Sequence, residues 1–140
     1  MSYLHIKVYE GNYDRTEFYG IMGKYFAEKK YRNEMPYLEN SNEHTWFLAF
    51  EDQSLIGFGS VKLQKDKAIL SHSYVEEKYR RQGVWSEINK KRLEYAQRTG
   101  KNIEVITKEP HLKDYWLRNG FSVYRTNGRY YYLRRDKIGG

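Results

Sequence analysis

The sequence predicts an α+β fold built on one central mixed, mostly antiparallel sheet flanked by helices, and three observations carry that expectation. Short runs near residues 4–9, 45–50, 55–63 and 68–75 are apolar or alternate apolar with polar, as strands do. Two longer segments, 16–30 and 84–98, space their apolar residues at the helical period instead. A strand, a helix and a further strand then succeed one another between residues 68 and 107, which requires a right-handed crossover if the two strands are parallel.

Taken in order, Leu4 to Tyr9 form the first strand and Gly11-Asn12 its turn. Asp14 precedes Glu17 at the spacing of a capping box, and Phe18, Ile21, Met22, Tyr25 and Phe26 share one face, so a helix is expected from about Thr16 to Lys30. Pro36 and the Asn40-Ser41-Asn42 cluster mark a short second helix or a loop up to Glu43. Strands at 45–50 and 55–63 make a hairpin across Glu51-Asp52-Gln53-Ser54, and Ala68 to Val75 extends it as a meander. Val84 to Arg98 is the next helix, stopped by Gly100. Ile103 to Ile106 is a strand, Pro110 opens a helix that Asn119-Gly120 closes, and 121–125 pairs with 130–133 as a terminal hairpin.

A chain of 140 residues suits one core, so a single domain over 1–140 is expected. Its 39% hydrophobic and 31% charged residues argue against disorder. No apolar run reaches membrane-spanning length and the N-terminus lacks the order of a signal peptide, so no membrane partner and a cytoplasmic location are expected. The absence of cysteine excludes disulfides, a thiolate zinc site and a cysteinyl acyl-enzyme. No His/Asp/Glu spacing suggests a metal site. A net charge of +7 favours anionic partners: nucleic acid, an acidic protein or a polyphosphate cofactor.

The segment Ser73-Tyr74-Val75-Glu76-Glu77-Lys78-Tyr79-Arg80-Arg81-Gln82-Gly83-Val84-Trp85-Ser86 joins a strand to a helix through a basic turn. Free N–H groups at a helix N-terminus, the helix dipole and two guanidinium groups suit a pyrophosphate, and Gly83 lets it approach the backbone. The bland alternative is a turn glycine among solvated arginines. This stretch resembles the acetyl-CoA loop of the GNAT acetyltransferases, Arg/Gln-x-x-Gly-x-Gly/Ala, with Trp85 in place of the last small residue. Tyr115-Trp116-Leu117-Arg118-Asn119-Gly120-Phe121 resembles the end of the family's fourth helix.

The resemblance implies a GNAT acyl-CoA N-acyltransferase fold, acetyl-CoA as acyl donor, and direct attack by an amine acceptor. It implies cofactor contacts from Ser73, Tyr74, Val75, Arg80, Arg81, Gln82, Gly83, Val84, Trp85, Ser86 and Trp116. Family members use a tyrosine to protonate the departing thiolate; that position holds Trp116, and Tyr115, one place earlier, is the displaced candidate, about 100° around a helix. An asparagine usual near the start of that helix is replaced by Glu109. A base is needed because an alkyl amine of pKa about 10 is roughly 0.1% unprotonated at neutral pH. His72 is the first candidate by intrinsic pKa, with Glu76 acting through water second. Two alternatives stay open: a non-catalytic GNAT-fold protein binding CoA or a macromolecule, and a nucleic-acid module using Tyr130-Tyr131-Tyr132 with Arg125, Arg129, Arg134 and Arg135.

Overall fold

The computed structural model describes residues 4–136. Met1 to Tyr3, on which the reading of the N-terminus partly rests, lie outside the described residues.

The chain opens with β1 (Leu4–Tyr9) and α1 (Arg15–Ala27), whose N-cap Asp14 accepts a hydrogen bond from the Glu17 N–H at 3.1 Å. The expected single helix to Lys30 is broken at Glu28, which is extended (φ −76°, ψ 135°), and a separate α2 (Lys29–Glu34) follows. The break lets the two helices bring Tyr25 and Tyr31 together, their ring centroids 4.5 Å apart. Next come β2 (His44–Glu51), β3 (Ser54–Leu63), β4 (Lys67–Val75), a 3-10 turn (Glu77–Tyr79) and α3 (Val84–Arg98). The chain then forms β5 (Asn102–Thr107), α4 (Pro110–Arg118), β6 (Ser122–Asn127) and β7 (Tyr130–Arg135).

Among the described residues the strands make one seven-stranded sheet in the order β1-β2-β3-β4-β5-β7-β6. All neighbours are antiparallel except β4 and β5, the pair joined through α3. The last strand is not an edge: β7 lies between β5 and β6, and β6 is the outer strand. On that outer part, arginine heads already cover the tyrosines, Arg125 4.8 Å from the Tyr132 ring and Arg134 5.0 Å from the Tyr124 ring.

Helices cover both faces of the sheet. Phe18, Met22 and Tyr25 of α1 pack on Trp46, Leu48, Phe58 and Tyr74, while Val84, Ile88 and Ala96 of α3 and Trp116 of α4 pack on Phe47, Leu70, Val105 and Leu133. This division assigns each residue of β4 to a face, and a bulge changes the assignment midway. Gly59 pairs with Ser73 and Val61 with Leu70, so Ser60 alone opposes both Ser71 and His72. The Ser60 hydroxyl stitches the bulge, 2.7 Å from the Ser71 hydroxyl and accepting from the His72 N–H at 3.3 Å. Before the bulge Ala68 and Leu70 face α3; after it Val75 does, and Tyr74 turns to α1.

Candidate active site

β4 and β5 pair over only four positions, Lys67 with Asn102 through Leu70 with Val105. Beyond Leu70 the strands part, and a cleft of about 750 Å³ lies beside the far half of β4. Ser73, Tyr74 and Val75 of β4 line it, the turn adds Tyr79, Arg80, Arg81 and Gly83, and α3 adds Trp85 and Ser86. Glu109, His111, Leu112, Tyr115 and Arg118 form the wall from the α4 side, with Glu34 and Met35 at the end of α2.

The turn is shaped for an anion. Gly83 is the N-cap of α3 at φ +83°, it offers no side-chain cap, and a Cβ there would meet no protein atom within 4 Å. The amide groups of the first helical turn therefore face open space at the positive end of the helix dipole. Arg81 also sits at positive φ (+65°), a strained position for a residue with a Cβ, and makes no hydrogen bond or ion pair among the described residues. Arg80 braces the turn: its Nε donates to the Val75 carbonyl at 2.8 Å and its Nη2 pairs with Glu34 at 3.2 Å. The residues fit a pyrophosphate group by this test.

Trp85 does not block the turn. Its ring lies edge-on to Tyr115 (5.2 Å) and Trp116 (6.1 Å), and its Nε1 donates to the Ser73 hydroxyl at 3.2 Å. The adjacent residues of α4 divide between core and cleft. Trp116 is 1% exposed and packs on Phe121 at 5.0 Å, beneath the cleft wall. Tyr115 lines the cleft, and its hydroxyl accepts a hydrogen bond from Asn89 Nδ2 at 2.9 Å. No helix irregularity is involved: α4 is seated with the larger indole inward, which turns the phenol outward.

Besides Glu76, four residues singled out from the sequence for the site do not line the cleft. Val84 is core, Trp116 is the packing residue just described, and Gln82 turns back to donate to the Lys78 carbonyl at 3.0 Å. His72 is the fourth, and the bulge is the reason. In unbroken alternation it would share the face of Leu70, whereas its ring instead stacks on His44 (5.8 Å) and Trp46 (6.0 Å). Burial, with the nearby His44 adding to it, pushes its pKa down to about 4.

Glu76, next along from Val75, has Oε1 accepting from the hydroxyls of Tyr25 (2.6 Å) and Tyr31 (3.0 Å). Burial raises both phenols first, Tyr31 to about 12, with Glu76 adding to the effect, so they remain protonated donors. Asn89 and Arg92, the groups behind Tyr115, were not legible in the sequence; as polar residues three apart on a helix they read as surface. The spacing of Arg92, four residues from each of the core positions Ile88 and Ala96, was the one signal against that reading.

Comparison with known proteins agrees with this geometry. A model of the acetyltransferase (GNAT) family matches residues 10–121. No curated protein sequence matches. Among solved structures, an acyl-CoA N-acyltransferase from Pseudomonas aeruginosa superposes with a TM-score of 0.75 at 16% identity, covering 95% of this chain and 99% of its own. The ribosomal-protein-S18-alanine N-acetyltransferase from Escherichia coli gives 0.68 at 15% identity, over 99% and 97%. The PaiA N-acetyltransferase from Thermoplasma acidophilum, in complex with coenzyme A, gives 0.65 at 16%, over 96% and 99%. With the parted strands and the uncapped, glycine-led helix, the match over 10–121 means that the chain belongs to the acetyltransferase (GNAT) family, the acetyl-CoA-dependent N-acetyltransferases.

Proposed function

We propose that the chain, as a single domain over 1–140, transfers the acetyl group of acetyl-CoA to a primary amine by direct attack. The acceptor is a small molecule, a lysine side chain or a protein N-terminus. The observation that carries this reading is a cleft lined both by the open, uncapped start of α3 at Gly83, with Arg81 beside it, and by a phenol, Tyr115. The first holds the pyrophosphate of the donor, and the second supplies a proton. The amine nitrogen attacks the thioester carbonyl, the new C–N bond forms as the C–S bond breaks, and Tyr115 gives its proton to the sulfur. The proton lost from nitrogen passes through water to Glu76, beside the cleft residue Val75. His72 has no proton-transfer role here: with a pKa of about 4 it is a poor match for an ammonium of about 10.

The test is thiol release from acetyl-CoA with a panel of amines. At least one amine is expected to be turned over, and Tyr115→Phe to lower kcat by about 10²-fold or more with little change in KM for acetyl-CoA. CoA binding without turnover of any amine would favour a non-catalytic CoA binder, and no CoA binding at all would remove the reading.

A further inference from the structure

Two polar side chains of α3 are sealed inside the protein: Asn89 is 0% exposed and Arg92 is 2% exposed. A buried guanidinium is costly unless its donors are used. Arg92 Nη1 donates to the carbonyls of Ser60 (3.3 Å) and His72 (3.2 Å), the backbone of the β4 bulge and its partner, and Nη2 donates to Asn89 Oδ1 at 3.1 Å. Room for the stem comes from Gly59, where a Cβ would come within 3.0 Å of Arg92 Cδ. Burial pushes the Arg92 pKa down to about 10, which still leaves it charged at neutral pH.

The hydrogen-bond directions follow from chemistry. An arginine has donors and no acceptor, so the Asn89 atom facing it must be the amide oxygen. The amide nitrogen then faces Tyr115 and donates to the phenol oxygen at 2.9 Å. Because that oxygen is accepting from Asn89, the phenol's own hydrogen must point elsewhere, and Tyr115 lines the cleft.

We propose that Arg92 and Asn89 are positioning residues that set the polarity of the Tyr115 hydroxyl, Arg92 locking the Asn89 amide and Asn89 aiming the phenolic proton into the cleft. This rests on the reading of Tyr115 as proton donor to the departing thiolate. The same guanidinium holds the bulge, so the proton donor and the strand that opens the cleft share one anchor.

Asn89→Asp tests it. The carboxylate matches the amide in size and keeps a partner for Arg92, but it has no donor and instead accepts a hydrogen bond from the Tyr115 hydroxyl, turning the phenolic hydrogen away from the cleft. The expected result is a fall in kcat of at least tenfold, a KM for acetyl-CoA within twofold of the parent, and no further loss when Tyr115→Phe is added. Asn89→Ser, too short to reach the phenol, is expected to give the same kcat-only loss and carries the test should the first variant not fold. If Tyr115→Phe lowers kcat while both Asn89 variants match the parent, the positioning inference is overturned and the reading of Tyr115 stands. If Tyr115→Phe is silent in a turning-over enzyme, the reading of Tyr115 fails and takes the inference with it. Losses that multiply in the double variant, or a rise in KM with kcat unchanged, would place Asn89 in a role independent of Tyr115 and overturn the inference.

Discussion

His72 carries its ring in a stack with His44 and Trp46, where a positive charge is poorly solvated, and this has a consequence for stability. Its pKa is about 4 in the folded state against an ordinary value of 6.5. Between those values the unfolded chain binds the proton more tightly, so stability is full above pH 6.5 and is lost as pH falls toward 4. The folded-state pKa of His44 is also lowered, which adds in the same direction. Melting temperature is expected to decline over that window, with His72 contributing ~3 kcal/mol at most, and His72→Phe to flatten much of the decline in thermal melts recorded across pH. A parent and variant that lose stability in parallel would show that His72 is not the group responsible. The same residue marks a limit of reading from sequence. Its type and its place on a strand were legible, but its face was not, because the extra residue that turns it exists only in the pairing of β4 with β3. Tyr115 and Trp116 pose the reverse case: the pair was visible, and only the seating of α4 decides which ring meets the cleft.

At the scale of elements, the features from which the pyrophosphate site is proposed lie in one turn at the start of α3. Gly83 combines a positive φ with open space above it. Gly83→Glu is expected to cut CoA affinity at least a hundredfold by calorimetry, since its carboxylate enters the phosphate path, repels the phosphates and occupies the positive end of the helix dipole in their place. The left-handed conformation adds a cost of about 1–2 kcal/mol, so folding must be checked by melting. Parent-like affinity in a folded variant would move the pyrophosphate site elsewhere. This element was legible because strand, basic turn, glycine and helix are all local patterns. The break at Glu28 was not, since no proline or glycine marks it; docking of Tyr25 and Tyr31 around Glu76 accompanies it. Nor was the burial of Asn89 and Arg92, whose partners, Tyr115 for the first and Ser60 and His72 for the second, lie 20 or more residues away.

For the whole molecule, the order of elements, including the strand-helix-strand passage through α3, followed from periodicity and turn residues, which are properties of neighbouring residues; that β4 and β5 run parallel is seen only in their pairing. The placement of β7 inside β6 did not, because the last two strands can join a sheet in either order and only contacts with β5 choose. The division of the sheet has a dynamic consequence. Four residue pairs join β1 to β4 with the three strands beyond, among the described residues, and a ladder that short opens readily. The seam is therefore expected to open ahead of the rest of the sheet, exposing those amide protons of 67–70 and 102–105 that bond across it. If CoA occupies the cleft between the two parts of the sheet as proposed, it bridges the seam, and hydrogen exchange there is expected to slow on CoA addition by more than at the β1–β2 ladder. Equal protection in both places would mean that the ligand stabilises the fold as a unit, and that the seam is no weaker than the rest of the sheet.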